Sequence, residues 1–72
     1  MRVRYDEHVD ALYIRLKESK YYESDEIREG VILDYDKDGN VIGIEILDAS
    51  EYLSPAEIAT MTFDVNRVLT KS

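Results

Sequence analysis

Gly30-Val-Ile-Leu-Asp-Tyr-Asp-Lys-Asp-Gly-Asn-Val-Ile-Gly-Ile-Glu-Ile-Leu-Asp-Ala-Ser50 reads as two strands folded back on each other. Two apolar runs flank Asp38-Gly39, a pair suited to a tight reversal because glycine takes positive φ freely and aspartate tolerates it. A two-residue type I′ loop pairs Lys37 with Asn40 and sets Val31, Leu33 and Tyr35 opposite Ile46, Ile44 and Ile42, so six apolar side chains share one face. The other face then carries Ile32, Asp34 and Asp36 opposite Glu45, Gly43 and Val41. Lengthening the loop by one residue, with Asp36 paired to Asn40, mixes both faces, so the two-residue turn is the expected one. Asp38, Gly39 and Gly43 are accordingly read as structural positions.

Working outward, Arg2-Val-Arg-Tyr5 alternates charged and apolar residues as a first strand. Asp6 to Asp10 is polar enough to turn. Ala11 to Leu16 alternates again, with Leu12, Ile14 and Leu16 on one side and Ala11, Tyr13 and Arg15 on the other. Tyr21 to Arg28 is a third, acidic strand suited to a sheet edge. Beyond the hairpin, Ser54-Pro55-Ala56-Glu57 is a helix-start signature: Ser54 caps, proline fits the first helical position, and Glu57 returns a bond to the cap. Ile58, Met61, Val65, Val68 and Leu69 continue on one helical stripe, although Thr60, Thr62 and the valines weaken helix propensity past Met61. The expectation is an α+β, mostly β fold: an antiparallel meander of four to five strands over 2–50 and one C-terminal helix over 54–69 packed on it, forming a single domain over 1–72.

Seventy-two residues bury only about 60% of the unfolded surface, and with no cysteine neither disulfides nor thiolate metal sites can reinforce the core. Self-association, most simply a dimer, is the remaining support. A formal charge of −7 argues against nucleic acid, despite Arg2, Arg4, Arg67 and Lys71, and favours a basic protein partner. No run approaches the roughly 20 apolar residues of a membrane helix and no apolar leader opens the chain, so a cytoplasmic address is expected.

Asp34-x-Asp36-x-Asp38-Gly39 with Glu45 fits the calcium-loop spacing in full. That loop needs a helix on either side, whereas strand-like sequence runs through this one, and Glu45 would sit too far up the ladder to close a shell with Asp38. Turn chemistry is the better reading. No metal or cofactor is expected, with Asp34, Asp36, Asp38 and Glu45 as the alternative ligands. Asp34, Asp36 and Glu45 on one face are also the alternative acid/base set, were a cleft to desolvate them. His8, the only histidine, lies in a polar turn and cannot alone make a zinc site. No catalytic constellation emerges, so the chain is not expected to be an enzyme. Tyr13, Tyr21, Tyr22, Ile32 and Val41 are the candidate contact residues, because tyrosines and a partly apolar second face suit an interface.

Tyr5-Asp6, Asp10-Ala-Leu-Tyr-Ile-Arg-Leu16, Glu26-Ile27 and, above all, Asp34-Tyr-Asp-Lys-Asp-Gly-Asn-Val-Ile-Gly-Ile-Glu-Ile-Leu-Asp-Ala-Ser50 resemble a prokaryotic domain of unknown function, number 2283 in its series, over residues 2–50. The resemblance implies a small, stand-alone β-rich domain without assigned catalytic residues, of a kind proposed as antitoxin-like partners of small toxins. Charge, motifs and resemblance together point to a non-enzymatic interaction module.

Overall fold

The computed structural model describes residues 1–62 and 65. Five strands, β1 (Arg2–Asp6), β2 (Ala11–Arg15), β3 (Glu23–Arg28), β4 (Val31–Tyr35) and β5 (Val41–Leu47), form one antiparallel sheet in the order β1-β2-β5-β4-β3. A 3-10 turn (Ala49–Glu51) and a short helix α1 (Pro55–Ala59) follow.

Sequence-adjacent strands pair within β1–β2 and within β3–β4–β5, and the two pieces join by pairing of β2 with β5. The most apolar strand thereby has neighbours on both sides. The link from Leu16 to Tyr22 carries the chain to the far edge: the Leu16 amide donates to the Ile42 carbonyl at 2.8 Å, and the Tyr22 amide to the Tyr35 carbonyl at 2.8 Å. There β3 lies at the edge with every residue exposed, as its acidic sequence suggested, and begins at Glu23 rather than Tyr21.

The central turn differs from the two-residue type I′ loop. The Asp36 amide donates to the Asn40 carbonyl at 3.0 Å and the Gly39 amide to the Asp36 carbonyl at 3.1 Å, enclosing Lys37, Asp38 and Gly39 in a three-residue loop. Gly39 takes φ +83° and Asp38 is not left-handed, which is the type I turn with a glycine bulge. Its cause is Asp36. One carboxylate oxygen accepts the amides of Asp38 (3.0 Å) and Asn40 (2.9 Å), and the other accepts the Asn40 side-chain amide (3.1 Å). These bonds, the Asn40 amide foremost, hold the Asp36 pKa below its ordinary value.

The register slip that a longer loop demands is absorbed by a bulge instead of spreading along the ladder. Tyr35 pairs with Val41, Asp34 pairs with Gly43, and Ile42 is the extra residue. The expected Val31–Ile46 and Leu33–Ile44 pairs survive, while Tyr35–Ile42 is replaced. Freed from the pairing with β4, Ile42 is fully buried and, with Ala11, Leu12 and Ala49, forms the buried apolar core.

Directly opposed residues share a face. One face carries two apolar rows, Val3-Ile14-Ile44-Leu33 and Tyr5-Leu12-Ile46-Val31; of these eight side chains only Leu12 is fully buried. The opposite face is polar, running Arg4-Tyr13-Glu45-Ile32 and Arg2-Arg15-Gly43-Asp34.

The capping box forms as expected: the Glu57 amide donates to Ser54 Oγ (3.1 Å) and the Ser54 amide to Glu57 Oε1 (2.9 Å), bonds that lower the Glu57 pKa. α1 ends at Ala59, far short of the 54–69 expectation. Thr60 bends its hydroxyl back to the Ala56 carbonyl at 2.6 Å, and its backbone leaves helical geometry. Val68 and Leu69, which the stripe included, lie outside the described residues.

Candidate functional site

Alternation along β4 and β5 sends Asp34 and Glu45 to the polar face, one on each of two neighbouring strands. There they line an open concavity of about 700 Å³ together with Arg4, Tyr13, Arg15 and Tyr21. Burial, then a proton shared with Asp34 and the repulsion of its charge, push the Glu45 carboxyl up to about 7. Ser24 on β3 donates to Asp34 Oδ1 at 2.9 Å, and the Tyr21 hydroxyl bonds Ser24 Oγ at 2.7 Å. A polar chain thus runs from Tyr21 through Ser24 and Asp34 to Glu45.

The basic residues across the concavity are engaged elsewhere. The Arg4 guanidinium lies 5.8 Å from the Tyr13 ring centroid, Arg15 donates to the Ser19 carbonyl at 3.4 Å, and Arg2 pairs with Glu18 at 2.7 Å on the exposed surface. Gly43 stands between Asp34 and β2: a Cβ there would meet Asp34 Oδ2 at 3.3 Å and the Ile14 carbonyl oxygen at 3.4 Å. Glycine at this position lets the carboxyl lie against the strand.

Of the sequence candidates, Asp34 and Glu45 come together, whereas Asp36 does not join them. Its oxygens are committed to the turn, and it is only 7% exposed. Among the described residues no group of three or more His, Cys, Asp or Glu side chains is placed to hold a metal ion. What remains is a pair of neighbouring carboxyls on the polar face, of which Glu45 is raised to about 7, chiefly by burial. Tyr13 and Ile32 lie on this same face and Tyr21 at its border, while Tyr22 is 64% exposed and Val41 is paired with Tyr35 beside the turn. His8 lies in the β1–β2 turn, its amide bonded to Asp6 Oδ1 at 2.9 Å, beside a second open concavity shared with Tyr5, Pro55 and Ile58.

Sequence reasoning missed a second cluster. Asp10, left-handed at φ 54°, closes the β1–β2 turn and accepts the Tyr5 hydroxyl (2.6 Å), the Ser50 hydroxyl (2.6 Å) and the Ser50 amide (3.0 Å). The Ser50 and Tyr5 bonds lower the Asp10 pKa, and the bond to Asp10 raises Tyr5 to about 12. The Ala49 amide adds a bond to the Asp10 carbonyl at 3.0 Å. Forty positions separate Asp10 from Ser50, and no local spacing signals their meeting. The cluster fastens the chain leaving β5 to the first hairpin and is structural.

Among the described residues, an open five-stranded antiparallel sheet with one apolar and one polar face defines the class of protein. Residues 2–50 match the model of a family described as "Protein of unknown function (DUF2283)", and the chain belongs to that family. Tyr5, Asp10 and Ser50, all within the matched part, are the residues of the second cluster. No curated protein and no solved structure matches the chain. No helix among the described residues is long and apolar enough to cross a membrane.

Proposed function

We propose that this chain is a non-enzymatic protein-interaction module, dimeric, that engages a small basic protein in the manner of an antitoxin. The observation that carries the reading is the apolar face: Val3, Ile14, Val31, Leu33, Ile44 and Ile46 stay only half-buried. A contiguous apolar surface of this kind on a small domain is the mark of an association surface. The basic partner is supported by the charge of −7 and by the exposed acidic edge strand β3, with Glu23, Asp25 and Glu26. Complementary charge speeds encounter and selects for basic partners. The test is affinity capture from the native host at low and high salt. A small basic protein held at low salt and released at high salt is expected; its absence refutes the partner.

The Asp34–Glu45 pair supports a second reading, a divalent-ion or proton-transfer site, because the two carboxyls line one open concavity and burial raises Glu45 to about 7. Calorimetric titration with magnesium, manganese and calcium decides it, and no heat at millimolar metal ends the metal form.

A further inference from the structure

We infer that the apolar face is closed by the same face of a second copy, related by a two-fold axis that runs between the sheets and across the strands. This rests on the reading of that face as an association surface and names its occupant. The ends of the two rows select this arrangement. On the edge strand β3, Asp25 stands opposite Leu33 and continues the first row; past a bulge after Glu26 that leaves Ile27 as the extra residue, Arg28 stands opposite Val31 and continues the second. Both are exposed. Each row is therefore apolar across four strands and terminates in a charge, and the two charges have opposite sign.

A two-fold axis across the strands lays each strand antiparallel over its own copy and exchanges the rows. Ile44 then meets Ile46 of the second copy and Leu33 meets Val31. At the rim Asp25 meets Arg28, and Arg28 meets Asp25, the reciprocity an isologous interface requires. An axis along the strands instead reverses the strand order and lands Asp25 on Val3 and Arg28 on Tyr5, placing unpaired charges against apolar side chains, which is costly. The pattern of charge at the edge selects the first arrangement, an aligned sandwich of two sheets.

The area suffices. Five strands about 4.8 Å apart, each some five residues long at about 3.3 Å per residue, give a footprint of roughly 400 Å². With side-chain corrugation, a face-to-face pair covers on the order of 1,000 Å² in total, which reaches the threshold for specific association. α1 lies beside the Tyr5 corner, where Pro55 and Ile58 border the second concavity, at the opposite end of the rows from Asp25 and Arg28.

The test is sedimentation velocity over a wide concentration range on the full chain and on Asp25→Arg and Arg28→Asp, both at exposed edge positions that leave the fold intact. The wild type is expected to dimerise. Each single variant, which turns two attractive rim pairs into repulsive ones, is expected to weaken self-association on the order of tenfold at low salt. An equimolar mixture of the two variants is expected to recover wild-type affinity. In the mixed dimer the arginine introduced at position 25 of one copy faces the aspartate introduced at position 28 of the other, and the native Arg28 of the first faces the native Asp25 of the second. Three results overturn the inference: a wild type that stays monomeric throughout, single variants that associate as the wild type does, or a mixture no tighter than its components. A monomeric chain that still captures a basic protein would overturn the dimer alone, and a charge-patterned dimer that captures none would overturn the partner alone.

Discussion

Replacing Glu45 by Gln should make the protein more stable at pH 8 and leave it unchanged near pH 4.5. Folding raises this carboxyl from 4.5 to about 7, chiefly by burial and then through Asp34. The folded protein therefore holds the proton more tightly than the unfolded chain does. Below pH 4.5 the group is protonated in both states and costs nothing. As pH rises from about 4.5 to about 7, the unfolded chain gives up the proton while the folded state still holds it, so stability falls, and the loss is complete once the folded carboxyl ionises above about 7. The whole shift is worth about 3 kcal/mol at 1.36 kcal/mol per pKa unit. Water reaching this half-buried face screens the penalty to on the order of 1 kcal/mol.

Gln mimics the protonated acid in shape and removes the titration. Urea denaturation at pH 5, 6, 7 and 8, at one fixed protomer concentration, checks the expectation. The wild-type curve should fall by about 1 kcal/mol across that range relative to Glu45→Gln, equivalent to roughly 4–8 °C in Tm for a domain of this size. Parallel curves, or a variant less stable than wild type at pH 8, would mean that folding does not raise the Glu45 carboxyl. Asp34→Asn serves as a control: with the neighbouring charge gone and burial retained, the difference should shrink without vanishing, because burial is the larger cause.

Two further substitutions test the turn and the clamp. Gly39→Ala should cost about 1 kcal/mol by denaturant titration, wholly from the backbone, because Gly39 sits at φ +83° and a Cβ there meets nothing within 4 Å. Asn at the same position should recover most of that loss, and a neutral alanine would mean the loop does not hold a left-handed residue. Ser50→Ala should lower stability in denaturant titration, because Asp10 loses the hydroxyl that helps to hold it against Tyr5, and should bring Tyr5 down from about 12 toward an ordinary phenol. Ultraviolet titration of tyrosine ionisation reads the second effect.

The parts of the fold legible in the sequence are those written in local periodicity. Alternation in Ala11 to Arg15 and in Val31 to Leu47 gave the strands and their faces, and Ser54-Pro55-Ala56-Glu57 gave the helix start. The loop type was not legible, because Asp38-Gly39 suits two reversals equally well. The choice fell to Asp36, whose carboxylate satisfies three N–H donors in the three-residue loop. Pattern reasoning treats Asp36 as one more outer-face acid and cannot see that it is a turn residue. The site divides the same way. Asp34 and Glu45 follow from period two along neighbouring strands, whereas the contact of Ser24 with Asp34 needs the pairing of β3 with β4. The Asp10 clamp needs the placement of β5 beside β2, a long-range choice with no local signature.

The bulge at Ile42 connects these levels. A three-residue loop without it would shift β5 by one residue and move Ile44 and Ile46 to the polar face. Glu45 would then enter the apolar rows, and the carboxyl pair would separate. One extra residue restores the register beyond the turn and releases Ile42 itself into the core, where it is fully buried. The apolar face that supports association and the polar face that carries Asp34 and Glu45 thus depend on the same local irregularity. Asp36 sets the loop, the loop demands a slip, and Ile42 confines that slip to a single position.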